Sequence, residues 1–330
     1  MSGGEGKKRI IEVAAGVIRD RQQRILLGQR AEGSFYPGYW EFPGGKVEPG
    51  ETPAEALIRE LQEELGIVVD RLDPWLVREH HYEHGHVRLH FFEVPQWHGV
   101  LADRVHAALS WQSGEAPEVS PMLPANAPVF KALQLPRFMA ITDCGHSGMP
   151  HDGVQMRAAL AAGASMVQVR EPDMLPEQRA ALCKRVGEVF RASGCAPLIV
   201  VNQAASEALP DDAQGLHLSG ARLMSLAQRP GHVHWLGASC HSREELEQAA
   251  RIGVDYALLG PVKPTRSHPG QPGMGWKAFR ELVRELPFPV LALGGVGPAD
   301  MDIARRHGAH GIAAIRGAWG PPGRDDEAGQ

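Results

Sequence analysis

The hydrophobic pattern divides the chain into two unlike halves. In the first, apolar positions alternate with polar ones over residues 10–18, 25–27 and 87–94, which predicts strands. One strong helix opens after Thr52. Thr52 is a suitable N-cap, Pro53 suits the first helical position and Glu55 completes a capping box. At about 100° per residue, Ala54, Leu57, Ile58, Leu61 and Leu65 form one stripe expected to face a core. Glu60, Glu63 and Glu64 are expected together on the opposite side, and Gly66 stops the helix. This is an α+β pattern over residues 1–133.

Prolines 117, 121, 124, 128 and 136 then punctuate a stretch of little periodicity, which reads as an irregular segment plus linker. Beyond it come eight short apolar runs: 138–142, 166–170, 198–201, 215–218, 235–239, 256–262, 290–296 and 312–315. Each is followed by a helical or loop segment. Strands that are continuously apolar are buried on both faces, so the pattern predicts a (β/α)8 TIM barrel over residues 134–320. The tail 321–330, rich in Gly, Pro and charge, is expected to be disordered. Two domains also suit a length of 330 residues, beyond what one core usually serves.

Composition changes this picture little. With 43% hydrophobic and 22% charged residues the chain is ordinary for a globular protein. A net charge of −5 gives no electrostatic reason to bind duplex nucleic acid or an anionic membrane. The four cysteines, at 144, 183, 195 and 240, form no CxxC pair, so neither a disulfide framework nor a zinc site is expected. No signal peptide or membrane span is apparent, and a cytoplasmic location is the expectation.

The candidate chemistry lies in residues 45–67, GKVEPGETPAEALIRELQEELGI. An acidic face on an amphipathic helix is usually just solvated. Here the preceding loop is rich in glycine, where backbone can approach a ligand closely. Carboxylates at i, i+3 and i+4 also repel one another unless a cation lies between them. Hard oxygens of this kind, with phosphate oxygens, suit Mg²⁺. The segment resembles the Nudix box, Gx5Ex7REUxEExGU, at Gly45, Glu51, Arg59, Glu60, Leu61, Glu63, Glu64, Gly66 and Ile67. That resemblance implies Mg²⁺, with Mn²⁺ as an alternative ion, held by Glu60, Glu63 and Glu64 with help from the Gly44 carbonyl. It implies Glu60 as base on the attacking water, Glu63 beside it in catalysis and Arg59 orienting the carboxylate.

Over residues 10–133 the chain further resembles the MutT type of Nudix enzyme. The loop WEFPGGK (40–46), Arg30 and the segment LPANAPV (123–129) carry the match. It implies a nucleotide substrate, 8-oxo-dGTP, cleaved to the monophosphate and pyrophosphate. Arg30, Glu41, Phe42, Pro43, Gly44 and Asn126 are the implied substrate contacts, with the Asn126 amide reading the base edge. Asn126 also reads simply as a turn residue between two prolines. One departure stands out: Val105 occupies the place of a metal-contacting glutamate of the family, and Asp103 lies two residues away.

Residues 137–318 resemble thiamin-phosphate synthase and its relative TenI, through VQVRE (167–171), GLHL (215–218), LGASCHS (236–242), DYALLGPVKPT (255–265) and LALGGV (291–296). The implied barrel site comprises Gln168, Arg170, Asn202, Ser239, His241, Thr265, Gly294 and Gly295, with the glycines and Thr265 cradling a phosphate. A glycine pair is equally a tight turn. Pro172, Gln203, Arg222 and Arg316 replace a lysine, two Mg²⁺-binding aspartates and a serine of the synthase family, so synthase activity is not expected. A TenI-like thiazole tautomerase would use His241, which also reads as a structural histidine. A phosphorylated thiazole-like molecule is then the barrel's expected ligand. The alternatives are a Nudix enzyme acting on a thiamin-related pyrophosphate and a non-enzymatic phosphate-ligand sensor.

Overall fold

The computed structural model describes residues 10–83, 85–144, 153–265, 270 and 272–320. The chain splits into two compact units, residues 1–135 with 284–287, and residues 136–283 with 288–330. The tail 321–330, expected to be disordered, lies outside the described residues.

The first unit contains two sheets. One has the order β4-β1-β6-β5, built from β1 (Ile10–Ile18), β4 (Gly44–Lys46), β5 (Ile67–Tyr82) and β6 (Gly85–Gly99). Its centre is the parallel pair β1–β6, flanked by antiparallel β4 and β5. The other has the order β3-β2-β7, with β2 (Ile25–Gln29), β3 (Trp40–Glu41) and β7 (Ala108–Gln112). Helix α1 (Pro53–Leu65) is capped as its sequence predicts: the Thr52 hydroxyl accepts from the Glu55 N–H, the Glu55 side chain returns to Thr52, and Gly66 closes the helix in the left-handed region.

The face that α1 buries differs from the expected stripe. Ala56, Leu57, Leu61 and Leu65 are buried against Ala14, Ile18, Leu26 and Val94, whereas Ile58 is exposed. Measured around the helix from Leu57, Glu60 and Glu64 lie within about 60° and 20° of it, inside the buried arc. The two glutamate side chains are accordingly only 17% and 18% exposed, against 62% for Glu63. The acidic positions therefore do not share one solvent face. Two of them point under the helix toward β4.

The proline-rich stretch is also more ordered than a linker. It holds a 3-10 turn (Pro124–Asn126) and helix α2 (Ala127–Leu133), whose Val129, Phe130 and Ala132 join a second core with Trp40, Phe42 and Phe91. The backbone of Trp40 pairs with Pro121 and Leu123, which fixes this segment against β3.

The second unit is a closed barrel of eight parallel strands, in the order β10-β11-β12-β13-β14-β15-β8-β9. The strands are β8 (Phe138–Ile141), β9 (Met166–Val169), β10 (Leu198–Asn202), β11 (Gly215–Leu218), β12 (Trp235–Cys240), β13 (Tyr256–Leu259), β14 (Val290–Leu293) and β15 (Gly311–Ala314). All eight predicted runs are present, and nearly every strand residue is buried, as parallel strands under a ring of helices require. Helices α3 (Gly153–Ala161), α4 (Pro176–Ala192), α5 (Gly220–Ser225), α6 (Arg243–Ile252), α7 (Gly275–Val283), α8 (Met301–Arg306) and α9 (Arg316–Trp319) follow the strands. The connection from β10 to β11 is a loop.

Candidate active site

Two glycines bring α1 onto strand β4. A Cβ at Gly44 (φ 145°) would lie 2.1 Å from the Ala14 carbonyl oxygen, and one at Gly45 would lie 2.3 Å from the Glu60 carboxylate. Any side chain at either position would separate β4 from β1 or push Glu60 aside.

Arg59 holds the carboxylates around it. Its Nη1 donates to Glu60 Oε1 at 2.9 Å and Glu63 Oε2 at 3.3 Å, while Nη2 reaches Glu51 Oε1 at 2.8 Å and the Lys46 carbonyl at 3.2 Å. Glu51 is thereby held below the usual carboxylate range, chiefly by Arg59. Glu64 is outside this arrangement. Its Oε2 is buried with no hydrogen-bond partner among the described residues. Burial first, then the charges of Glu60, Glu41 and Glu63, push its carboxyl up to about 8, and a Gly44 N–H offsets only part of this.

This donor set suits a divalent cation. An orphaned buried oxygen beside further carboxylates, with carbonyl-bearing glycines alongside, is hard-oxygen chemistry. Among the described residues no group of three or more His, Cys, Asp or Glu side chains is already arranged around one point. Glu60 and Glu63 are instead drawn toward Arg59.

The loop after β6 completes the surroundings of Glu64. It wraps the end of α1: the Ala102 and Arg104 N–H groups donate to the Leu65 and Glu64 carbonyls, and Arg104 Nη1 to Gln62 and Glu63. Val105 is left exposed, and Asp103 accepts the His106 N–H at 2.9 Å. The His106 ring lies over Gly28, with Nε2 3.9 Å from Glu64 Oε2. Sequence reasoning missed His106 because it weighed only the aligned position, Val105, and Asp103.

Beside the acidic cluster, Arg30 Nη1 bonds both oxygens of Glu41 at 2.7 Å. Burial raises the Glu41 carboxyl and Arg30 offsets part of that rise. Asn126 is buried, and its Nδ2 donates to the Trp40 carbonyl at 3.2 Å. The Ala125 backbone bonds the Tyr82 hydroxyl, and the Tyr82 ring meets Tyr36 at 5.5 Å in a tilted contact, while Tyr36 also meets Tyr39 edge-on at 5.3 Å. Arg30 and Glu41 thus form one pair, and Asn126 is tied to the backbone of Trp40, the residue before Glu41, at this side of the domain. Phe42 and Pro43 are not exposed to it. Phe42 packs against Phe91 and Phe130 in the core, while the Pro43 carbonyl accepts the Gly16 N–H. The tyrosines carried no motif signal.

In the barrel, Gln168, Arg170, Asn202, Ser239, His241, Gly294 and Gly295 sit at or just past the carboxyl ends of β9, β10, β12 and β14, where barrel enzymes place their sites. Thr265 Oγ1 is buried with no partner among the described residues, and its methyl lies 3.3 Å from where a Gly294 Cβ would be. Gly294 and Gly295 both have positive φ. Asn202 Oδ1 accepts from Arg222 Nη1 at 2.9 Å, and Gln203 donates to the Glu207 and Ala208 carbonyls. His241, just before α6, is about half exposed and faces Glu245 in the first turn of that helix. An unpredicted chain runs through the interior: His217 Nδ1 meets Tyr256 Oη at 3.0 Å and its Nε2 meets Ser239 Oγ at 2.9 Å. Burial pushes His217 down to about 3, so the ring is neutral.

Fold and site define a two-domain protein, an α+β domain with a cluster of helix-borne carboxylates and a TIM barrel. Residues 10–133 match the family described as NUDIX domain, and residues 138–318 match Thiamine monophosphate synthase. The first domain is 41% identical over 133 residues to the CTP pyrophosphohydrolase of Escherichia coli, covering 40% of this chain and 94% of that protein. It is 42% identical over 97 residues to the 8-oxo-dGTP diphosphatase of Proteus vulgaris, covering 29% and 87%. The barrel is 34% identical over 182 residues to the thiamine-phosphate synthase of Chloroflexus aurantiacus, covering 54% and 83%. The chain belongs to both families, a Nudix hydrolase domain followed by a thiamine monophosphate synthase-type barrel.

Proposed function

We propose that the first domain hydrolyses an oxidised purine nucleoside triphosphate, 8-oxo-dGTP, to the monophosphate and pyrophosphate, removing it before DNA replication uses it. The observation that carries this reading is Asn126. It is buried and tethered to the Trp40 carbonyl, next to the Arg30–Glu41 pair and the Tyr82 ring. One amide N–H serves the tether, and the second N–H and the carbonyl suit a base edge presenting both an acceptor and a donor. The likeness to 8-oxo-dGTP diphosphatases supports the same substrate.

A bound Mg²⁺ or Mn²⁺ neutralises phosphate oxygens and lowers the pKa of a water. Glu60, Glu63 and Glu64, with the Gly44 carbonyl, are the groups that would hold it. Glu60 takes the proton of the attacking water through the oxygen that Arg59 leaves free, while Arg59 keeps the carboxylate oriented. The water forms the new P–O bond and pyrophosphate departs with the electrons of the bridging oxygen.

The likeness to a CTP pyrophosphohydrolase supports a second reading, a pyrimidine triphosphate as substrate. Comparing wild type with Asn126→Ala on 8-oxo-dGTP, dGTP and CTP separates the two. Loss of an edge contact costs about 1–3 kcal/mol, so selectivity for 8-oxo-dGTP over dGTP falls by about tenfold or more. Equal losses on every substrate, or CTP preferred throughout, would defeat the 8-oxo-dGTP assignment.

In the barrel, Gly294, Gly295 and Thr265 support the binding of a phosphorylated thiazole-like ligand. Arg222 already supplies a fixed cation to Asn202, in a site where Gln203 and Arg222 stand for the Mg²⁺-binding aspartates. Metal-assisted release of pyrophosphate is therefore disfavoured here, leaving a binding role or proton transfer through His241.

A further inference from the structure

We propose that His106 Nε2 is a direct nitrogen ligand of the divalent cation, shared with Glu64 and oriented by Asp103, and that it turns the centre toward Mn²⁺ over Mg²⁺. The inference rests on the Nudix reading of the carboxylate helix. Its basis is a buried imidazole nitrogen set beside a buried carboxylate oxygen that has no hydrogen-bond partner among the described residues. His106 Nε2 and Glu64 Oε2 are 3.9 Å apart, beyond the hydrogen-bond range of about 2.7–3.2 Å. Two ligands each about 2.0–2.2 Å from one ion stand at most about 4.4 Å apart, so a small shift of either side chain lets one ion bridge the pair.

Burial and partners point the same way. The His106 side chain is 7% exposed, and Glu64 Oε2 is buried without a hydrogen-bond partner among the described residues. On its far side, His106 Nδ1 is buried and faces Asp103 Oδ1 at 3.6 Å, the carboxylate that already accepts the His106 backbone N–H. A carboxylate behind a histidine whose other nitrogen faces an ion is the usual way a metal-bound imidazole is oriented. The ring lies against Gly28, where a Cβ would stand 2.2 Å from it. The family carboxylate missing at Val105 is thus replaced by a nitrogen one residue later. Mg²⁺ takes oxygen ligands and dehydrates reluctantly, whereas Mn²⁺, the first of the divalent series that accepts nitrogen donors, tolerates an imidazole in a largely oxygen site.

The test is spectroscopic and uses the full chain loaded with Mn²⁺. Titration followed by electron paramagnetic resonance gives the affinity, and electron spin-echo modulation reports a ¹⁴N nucleus bound to the ion. Wild type is expected to show ¹⁴N modulation that disappears in His106→Asn, with affinity lower by about tenfold or more. Asp103→Asn is expected to keep the modulation and weaken binding by a smaller factor. His106→Glu is expected to restore affinity while lowering the preference for Mn²⁺ over Mg²⁺ in competition. Because the wild-type spectrum alone shows or lacks the nitrogen, a poorly folded variant does not rescue the idea. Absence of ¹⁴N modulation in wild type, or its survival in His106→Asn, overturns the role of His106 while the carboxylate centre stands. Mn²⁺ binding untouched by both Glu60→Gln and Glu64→Gln would overturn the carboxylate centre itself.

Discussion

Glu64 concentrates the electrostatic strain of the site. Its carboxyl stands near 8 in the folded protein against 4.5 for the free group, mainly through burial and then through Glu60, Glu41 and Glu63. A folded value above the unfolded one means that the group favours the folded state fully below about 4.5, and that this contribution is lost as pH rises through about 8. In EDTA, wild type is therefore expected to lose melting temperature relative to Glu64→Gln as pH rises from about 5 to 9, by several degrees. Parallel curves for the two proteins would contradict the burial of an uncompensated carboxylate. Cation binding must displace the same proton, so affinity rises with pH across the same window. At this scale the motif was legible as a spacing, and in the structure Glu51, Glu60 and Glu63 all bond the Arg59 guanidinium. His106 was not, because its place depends on a loop folding round the end of α1. His217 is one polar letter in an apolar strand, and only the barrel interior shows that it joins Tyr256 to Ser239.

At the scale of elements, the site is the meeting of α1 with β4. A methyl at Gly45 would stand 2.3 Å from the Glu60 carboxylate, a flexible group that can yield by swinging off Arg59. Gly45→Ala is thus expected to lower kcat by about a hundredfold or more, with little change in melting temperature, as a displaced base would. Wild-type kcat in that variant would show that Glu60 need not lie on the strand. The helix itself was readable from its caps, but its buried face was misjudged because apolar letters alone set the stripe. Ile58 faces water and two glutamates face inward, which is the arrangement a cation site needs. Strand β5 escaped notice for a different reason. Its pairing with β6 shifts register between Val69 and Arg71, Arg71 and Asp73, and Pro74 and Leu76, so the alternation restarts along its length. Helix α2 was hidden by its prolines, which suit a first helical turn as well as a linker.

At the scale of the whole molecule, one chain carries a Nudix hydrolase domain and a thiamine monophosphate synthase-type barrel. The eight barrel strands were the most legible part of the fold, since each is a short apolar run buried on both faces. The protein is expected to form no thiamin phosphate from a hydroxymethylpyrimidine pyrophosphate and a thiazole phosphate, yet to bind the thiazole phosphate through Gly294, Gly295 and Thr265. A coupled synthesis assay beside calorimetric titration checks both. Turnover comparable to that of the thiamine-phosphate synthases would overturn the first expectation, and absence of binding the second. Among the described residues no helix is long and apolar enough to cross a membrane. The central claim concerns the first domain, and it is tested most directly by pyrophosphate release from 8-oxo-dGTP, with wild type and Glu60→Gln compared in Mg²⁺ and in EDTA. Wild type is expected to yield the monophosphate and pyrophosphate only with the cation, and Glu60→Gln to lose about a hundredfold or more in kcat while staying folded. Cation-independent release, or near wild-type turnover by Glu60→Gln, would contradict the account.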